Sequence, residues 1–238
     1  MLEYKATDLP GKIAYEKPFA LQIRSITPVE QKYILSLSQK EQRTAKEYTE
    51  FLKKLIQINN PEVTFEDLYW FDIQYLLYKI RYLTYAKYPI KLVFRCEECG
   101  EEITKELDMG ELKIEEPNPE NNKIVLENLG ETKIRNKIVR DDIDIENFIK
   151  QHNIDQDDLQ TRLLLIDLCL VKGDKSLEEA YKLAETGEIT AGDIIDIEKW
   201  IENNIWGVQE ELVIKCPKCG KEVSRGYTLS IEDFFSVI

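Results

Sequence analysis

The sequence predicts an α+β fold: a mostly helical body carrying small antiparallel β-hairpins. Three observations point there. Stretches with apolar residues at helical spacing, opened by capping residues, fill most of residues 26–88 and 141–206. Short alternating segments such as "FALQIRSI" and "KIVLENLGETKIRNKIV" stand between them, with the period of half-buried strands. One hairpin is written twice: "KLVFRCEECGEEIT" from Lys91 and "ELVIKCPKCGKEVS" from Glu211 align without a gap after a shift of 120 positions.

The totals are compatible with a sizeable core. Of 238 residues, 43% are apolar, with three Trp, twelve Tyr and eight Phe, which argues against disorder. The formal charge of −13 disfavours nonspecific attraction to nucleic acid or anionic membranes and favours a basic protein partner. No segment approaches the roughly 20 apolar residues of a membrane span. The N-terminus lacks an apolar signal core, so folding in a reducing cytoplasm is expected. In that compartment paired Cys-x-x-Cys motifs mean metal more often than disulfide.

Each element follows from local signals. Residues 1–25 read as extended. Thr27, Pro28 and Glu30 form a capping box that opens a helix of about 28 residues, running toward Asn59-Asn60-Pro61. Its polar centre, "SQKEQRTAKEYTE", marks a point of breakage or exposure. Thr64 before Asp67 opens a second helix that Pro89 ends. Phe65, Leu68, Tyr69, Phe71, Ile73, Leu76, Leu77, Ile80, Leu83 and Tyr85 cover much of that helix, as in a buried central one. Its aromatic spacing is that of a core rather than a binding cage. After the first hairpin, a loop precedes a small hairpin turning near 128–131. Helices are expected at about 144–151, 155–172, 176–186 and 190–206, with caps at Ser176 and Thr190 and stops at Gly173, Gly187 and Gly207. The expected domains are an N-terminal extended segment (1–25), a helical region (26–88), a ribbon in two halves (89–115 and 208–230), a hairpin-plus-helical insertion (116–207) and a C-terminal tail (231–238).

Four of the five cysteines lie in the duplicated hairpins. Cys-x-x-Cys followed by Gly is a knuckle: two thiolates grip one metal, and the glycine permits positive φ. Cys96, Cys99, Cys216 and Cys219 together supply four sulfurs, the set for one closed structural Zn²⁺ per chain in a split zinc ribbon. Ordinary ribbons separate their knuckles by about 15–20 residues, whereas 116 residues lie between these. Two sulfurs do not close a structural site and the single His152 cannot complete two, so the knuckles are expected to meet in space. Iron is the alternative metal. Arg95 stands against Glu97, Glu98, Glu101 and Glu102 in the first knuckle, and Lys215, Lys218 and Lys221 against Glu222 in the second. These opposite tips either attract on closure or remain solvated.

A closed four-thiolate site has no open position for catalysis. Cys169, within "LLLIDLCLV", reads as a buried small residue. Asp167 in the same run either faces outward or needs a buried partner. His152 reads as ordinary surface. Phosphate-cradling, nucleophile-elbow and metalloprotease motifs are absent. No catalytic residue, enzyme activity or small-molecule substrate is expected.

The order of features resembles the T4-type baseplate protein family, the baseplate hub and hub-assembly proteins of contractile-tailed bacteriophages. "DLPGKIAYEKP" leads into "RSITPVEQKYIL". Then come "LYWFDIQYLLYKIRYLTYAK", "FRCEECGEE", a helical stretch, "IKCPKCGKE" and the Phe234-Phe235 pair. The resemblance implies a noncatalytic structural or assembly protein whose partners are other phage baseplate or tail proteins, with no nucleic acid or membrane. It implies host cytoplasm during assembly and a place in the virion baseplate, or departure as a chaperone. The cysteines are then a zinc-ribbon variant of the family. The apolar chain end at Phe234, Phe235, Val237 and Ile238 either packs on its own core or binds a partner. The alternative function is a zinc-ribbon transcription or nucleic-acid-associated adaptor.

Overall fold

The computed structural model describes residues 1–37, 44–108, 112–155 and 157–236. It opens with a three-stranded antiparallel sheet in which β1 (Leu2–Lys5) pairs with β2 (Ala20–Ile23), and β2 with β3 (Ile56–Ile58). Leu21 and Ile23 are fully buried while Gln22 between them lies on the other face, as alternation requires.

The capping box at Thr27 starts α1 (Pro28–Leu37). The Glu30 carboxylate accepts from the Thr27 amide at 2.9 Å, and Arg24 clamps it at 2.6 and 2.9 Å. The Arg24 bond pulls the Glu30 pKa down to about 2. The helix is broken within its polar centre, at Thr44, one of the two outcomes read there, and the expected run to Asn59 is corrected. A new capping box at Thr44 opens α2 (Ala45–Leu55), and the chain then turns extended at Ile56. Ile56-Gln57-Ile58 satisfies a period of two as well as a helical stripe, and the open edge of β2 takes it. Part of the polar centre, residues 38–43, lies outside the described residues.

The start of the central helix is also corrected. Asp67 does accept from the Thr64 amide, at 2.8 Å, but the box closes a single 3₁₀ turn. Leu68 and Tyr69 then run extended, with Tyr69 bridging Ile138, before α3 (Trp70–Tyr85) begins. Ile73, Leu76, Leu77, Tyr78 and Ile80 are each 3% exposed or less, so the wide apolar face is core. Within that core Asp72 is fully buried. Its carboxylate accepts from the Gly11 amide at 2.9 Å and the Tyr15 hydroxyl at 2.6 Å. Trp206 closes over Gly11 and packs on Phe71 and Tyr69.

Between the duplicated hairpins lies a region with its own packing. β6 (Ile114–Glu115) pairs with β9 (Gly207–Val208), so both ends of the region leave side by side. Inside it are the hairpin β7 (Lys123–Leu126) and β8 (Gly130–Lys133), then α4 (Val139–Gln151), α5 (Leu159–Val171), α6 (Leu177–Glu185) and α7 (Ala191–Asn203). Helix α4 starts five residues earlier than read from sequence, because Asp141 accepts from the Ile138 amide at 2.9 Å and caps it. Helix α7 ends at Asn203, short of Trp206. Side chains of Asp158, Ser176 and Thr190 cap α5, α6 and α7. One small core forms between α4, α5 and α6, and another between the β7–β8 hairpin, α5 and α7. Val139 joins α4 to the main core. The chain closes on α8 (Ile231–Phe235), which packs on α1 and α3. Among the described residues, no helix is long and apolar enough to cross a membrane.

Candidate metal centre

The duplicated segments fold as two copies of one hairpin. β4 (Lys91–Arg95) pairs with β5 (Glu102–Glu106), and β10 (Glu211–Lys215) with β11 (Glu222–Gly226). The registers coincide after the 120-residue shift. Arg95 faces Glu102 where Lys215 faces Glu222, and Leu92 faces Lys105 where Leu212 faces Arg225. The turns match too. The Cys96 amide donates to Glu101 O at 2.8 Å and the Gly100 amide to Cys96 O at 2.9 Å. Cys216, Lys221 and Gly220 repeat this at 2.9 and 2.9 Å. Gly100 and Gly220 take φ of +71° and +75°, the left-handed turn that the knuckle needs and a side chain resists.

The two knuckles meet. Cys96 Sγ lies 3.7 Å from Cys219 Sγ, and Cys99 Sγ lies 3.6 Å from Cys216 Sγ. All four sulfurs fall within 4.8 Å of one another. A disulfide holds its sulfurs at about 2.05 Å, so these are separate thiols. A tetrahedral ion with Zn–S of about 2.3 Å requires sulfur–sulfur edges of about 3.8 Å, and the cross-knuckle distances match that edge. Cys96 and Cys216 are buried, Cys99 is half-buried and Cys219 is exposed.

Backbone amides turn toward the sulfurs. The Cys219 amide, with that of Lys218, lowers the Cys216 pKa to about 7. The Glu101 amide acts on Cys99 in the same sense, but desolvation and the neighbouring sulfurs push that thiol up to about 12. Four sulfurs this close do not all carry charge without a counter-ion.

Opposite charges close over the site. Lys218 reaches Glu101 at 3.2 Å, Arg225 reaches Glu97 at 2.8 Å, and Lys221 pairs with Glu98. These pairs are the cross-knuckle attraction read from the charge pattern, with Arg225 an addition the pattern missed. The Lys218 and Lys221 pairs are solvent-exposed and add little to stability, while Arg225 is half-buried. Lys215 instead pairs along its own hairpin with Glu222 at 4.0 Å.

The remaining singled-out residues lie elsewhere. Cys169 is fully buried between α4, α5 and α6, and burial pushes its thiol up to about 12. Asp167 is 5% exposed and has no hydrogen-bond partner among the described residues. Burial, with Glu198 nearby, raises its pKa to about 7. His152 stacks on Phe148 at 4.2 Å and bonds Glu178 at 2.7 Å on the surface. Phe234 and Phe235 are 1% and 0% exposed, packed against Tyr78 and Phe51 in this chain's own core. Val237 and Ile238 lie outside the described residues. Arg81 ties this end down, donating to Phe234 O at 3.0 Å and Ser236 O at 2.5 Å.

A family model described as T4 bacteriophage base plate protein matches residues 1–236. No curated protein and no solved structure matches the chain.

Proposed function

The chain belongs to the T4 bacteriophage base plate protein family, and from that premise we propose that it is a noncatalytic structural or assembly protein of the hub region of a contractile-tail baseplate, held together by one structural zinc. The observation carrying the zinc is the convergence of Cys96, Cys99, Cys216 and Cys219, with all four sulfurs within 4.8 Å. Four thiolates suit zinc or iron among common ions. The matched hairpins and the glycines behind each pair favour a closed structural zinc knuckle. The ion supplies the positive charge that lets all four sulfurs ionise together.

On this reading the duplication is mechanical. Each hairpin is half a clasp, and closing it fixes the ends of the 116–207 insertion against the 26–88 body. Zinc binding of this kind contributes on the order of 10 kcal/mol to folding, comparable to the stability of a whole domain. The partners are other baseplate or tail proteins. Phe234 and Phe235 serve such a partner only if α8 lifts from the core.

Elemental analysis of purified protein is expected to find about one zinc per chain. No metal, or two equivalents, overturns the shared site. Mass spectrometry of purified virions beside infected-cell lysate tests the role. Fixed stoichiometry in particles identifies a baseplate part and presence in lysate alone an assembly factor; a chain found at no fixed stoichiometry in particles and absent from lysate overturns the reading.

A further inference from the structure

We propose that the first ribbon hairpin is a joint between copies of this chain, with the β4 edge of one copy receiving the β5 edge of the next. The backbone register shows which groups point outward. The Leu107 amide donates to Ile90 O at 2.9 Å and the Cys96 amide to Glu101 O at 2.8 Å. In an antiparallel ladder hydrogen-bonded and open pairs alternate, so 92/105 and 94/103 are the bonded pairs between these two. The amides and carbonyls of Lys91, Val93 and Arg95 therefore face away from the hairpin on one side. Those of Glu102, Thr104 and Glu106 face away on the other. Among the described residues β4 and β5 form a sheet of two strands, and no further backbone hydrogen bond reaches those six positions. The side chains at all six are exposed, Val93 at 60%. Open edges of this kind are templates for a further strand.

The charge pattern selects the strand. Val93 is flanked by Lys91 and Arg95, and Thr104 by Glu102 and Glu106. Two β4 edges meeting antiparallel place cation against cation, and two β5 edges place acid against acid, so a symmetric pair is disfavoured. A β4 edge against a β5 edge repeats the pairing already inside the hairpin, where Lys91 lies 3.6 Å from Glu106. The second copy thus carries the complement of each edge. The contact is head-to-tail and propagates into a ring or an open row. The second hairpin is an internal comparison. It has the same knuckle and the same register, but its edges read Glu211, Val213, Lys215 and Glu222, Ser224, Gly226, without separation of sign. The zinc-ribbon shape therefore does not itself demand sorted edges.

The test is sedimentation of the metal-loaded chain over a range of concentration at low salt. Mass is expected to rise beyond the monomer with concentration and to fall back as salt screens the charges. Thr104→Pro removes an outward amide without touching a bonded pair, and is expected to abolish association while metal content and unfolding temperature hold. Ser224→Pro, the equivalent change in the second hairpin, is expected to leave association intact. Should either proline variant misfold, a charge pair replaces it. Lys91→Glu with Arg95→Glu, and Glu102→Lys with Glu106→Lys, are each expected to be monomeric alone and to associate when mixed. A wild-type chain that stays monomeric throughout overturns the proposal. So does association that survives the charge variants or Thr104→Pro, or a mixture that fails to associate. Metal content is read separately, so failure here is distinguishable from failure of the zinc site.

Discussion

Gly11 has no room for a side chain. A Cβ there would meet Trp206 Cη2 at 2.4 Å and the Asp72 carboxylate at 2.5 Å. Gly11→Ala is expected to cost about 1–3 kcal/mol by overpacking, read as a lower denaturant midpoint with an unchanged slope. Asp72 itself makes stability depend on pH. Burial raises its pKa to about 6, against the bonds from Tyr15 and Gly11 that favour the anion. Between the unfolded value of about 4 and the folded value of about 6, the native chain holds a proton that the unfolded chain has lost. This group's contribution is therefore fully present below about pH 4 and lost as pH rises through about 6, a change of about 2–3 kcal/mol. Asp72→Asn cannot titrate and is expected to flatten that part of the profile, measured by denaturant unfolding between about pH 4 and 7; an unchanged slope refutes the assignment. At this scale the clustered cysteines were legible and Asp72 was not. A knuckle is written in consecutive residues, whereas Asp72 finds its partners 57 and 61 positions away.

At the level of elements, the paired hairpins respond to the loss of one sulfur. Cys216→Ser is expected to lower metal content and the unfolding temperature of the whole chain, because Cys216 and Ile214 share a core with Tyr78 and Phe234. Unchanged thermal unfolding counts against the clasp. Cys169→Ser is expected to leave metal content intact, since Cys169 packs between α4, α5 and α6, away from the knuckles. Metal loss there shows the ligands were assigned wrongly. Caps and turns made most elements legible: Thr27, Ser176 and Thr190 each close a box where one is read, while the box at Thr44 was missed. Misreadings came where two periods coexist or a box closes on too little. Ile56–Ile58 fits strand and helix alike, and the presence of β2 decides. Thr64 caps only a 3₁₀ turn because the chain must stay extended to bridge Ile138.

For the whole molecule, one hydrophobic core gathers both ends of the chain. The N-terminal sheet, α1 to α3, both knuckles and α8 contribute to it, while the insertion packs largely on two smaller cores. Removing the metal with a chelator is therefore expected to speed amide exchange in α3 as well as in the ribbon strands. Acceleration confined to β4, β5, β10 and β11 refutes a clasp that stabilises the body. Sequence reading anticipated the meeting of the knuckles, because two sulfurs alone close nothing. It did not anticipate the sheet joining residues 2–5 to 56–58, and it left open whether the Phe234-Phe235 end packs on its own core or on a partner, since both depend on contacts across long stretches of chain.

The split of the ribbon also sets a timetable. Translation delivers Cys96 and Cys99 early, and their partners follow only after 116 further residues. A nascent polypeptide holds Cys96 and Cys99 without the second knuckle, and a main core lacking Ile214, Phe234 and Phe235, until residues 214–235 have cleared the ribosome. On the proposed reading, ion capture waits for Cys219, a checkpoint that fragments stalled before it cannot pass.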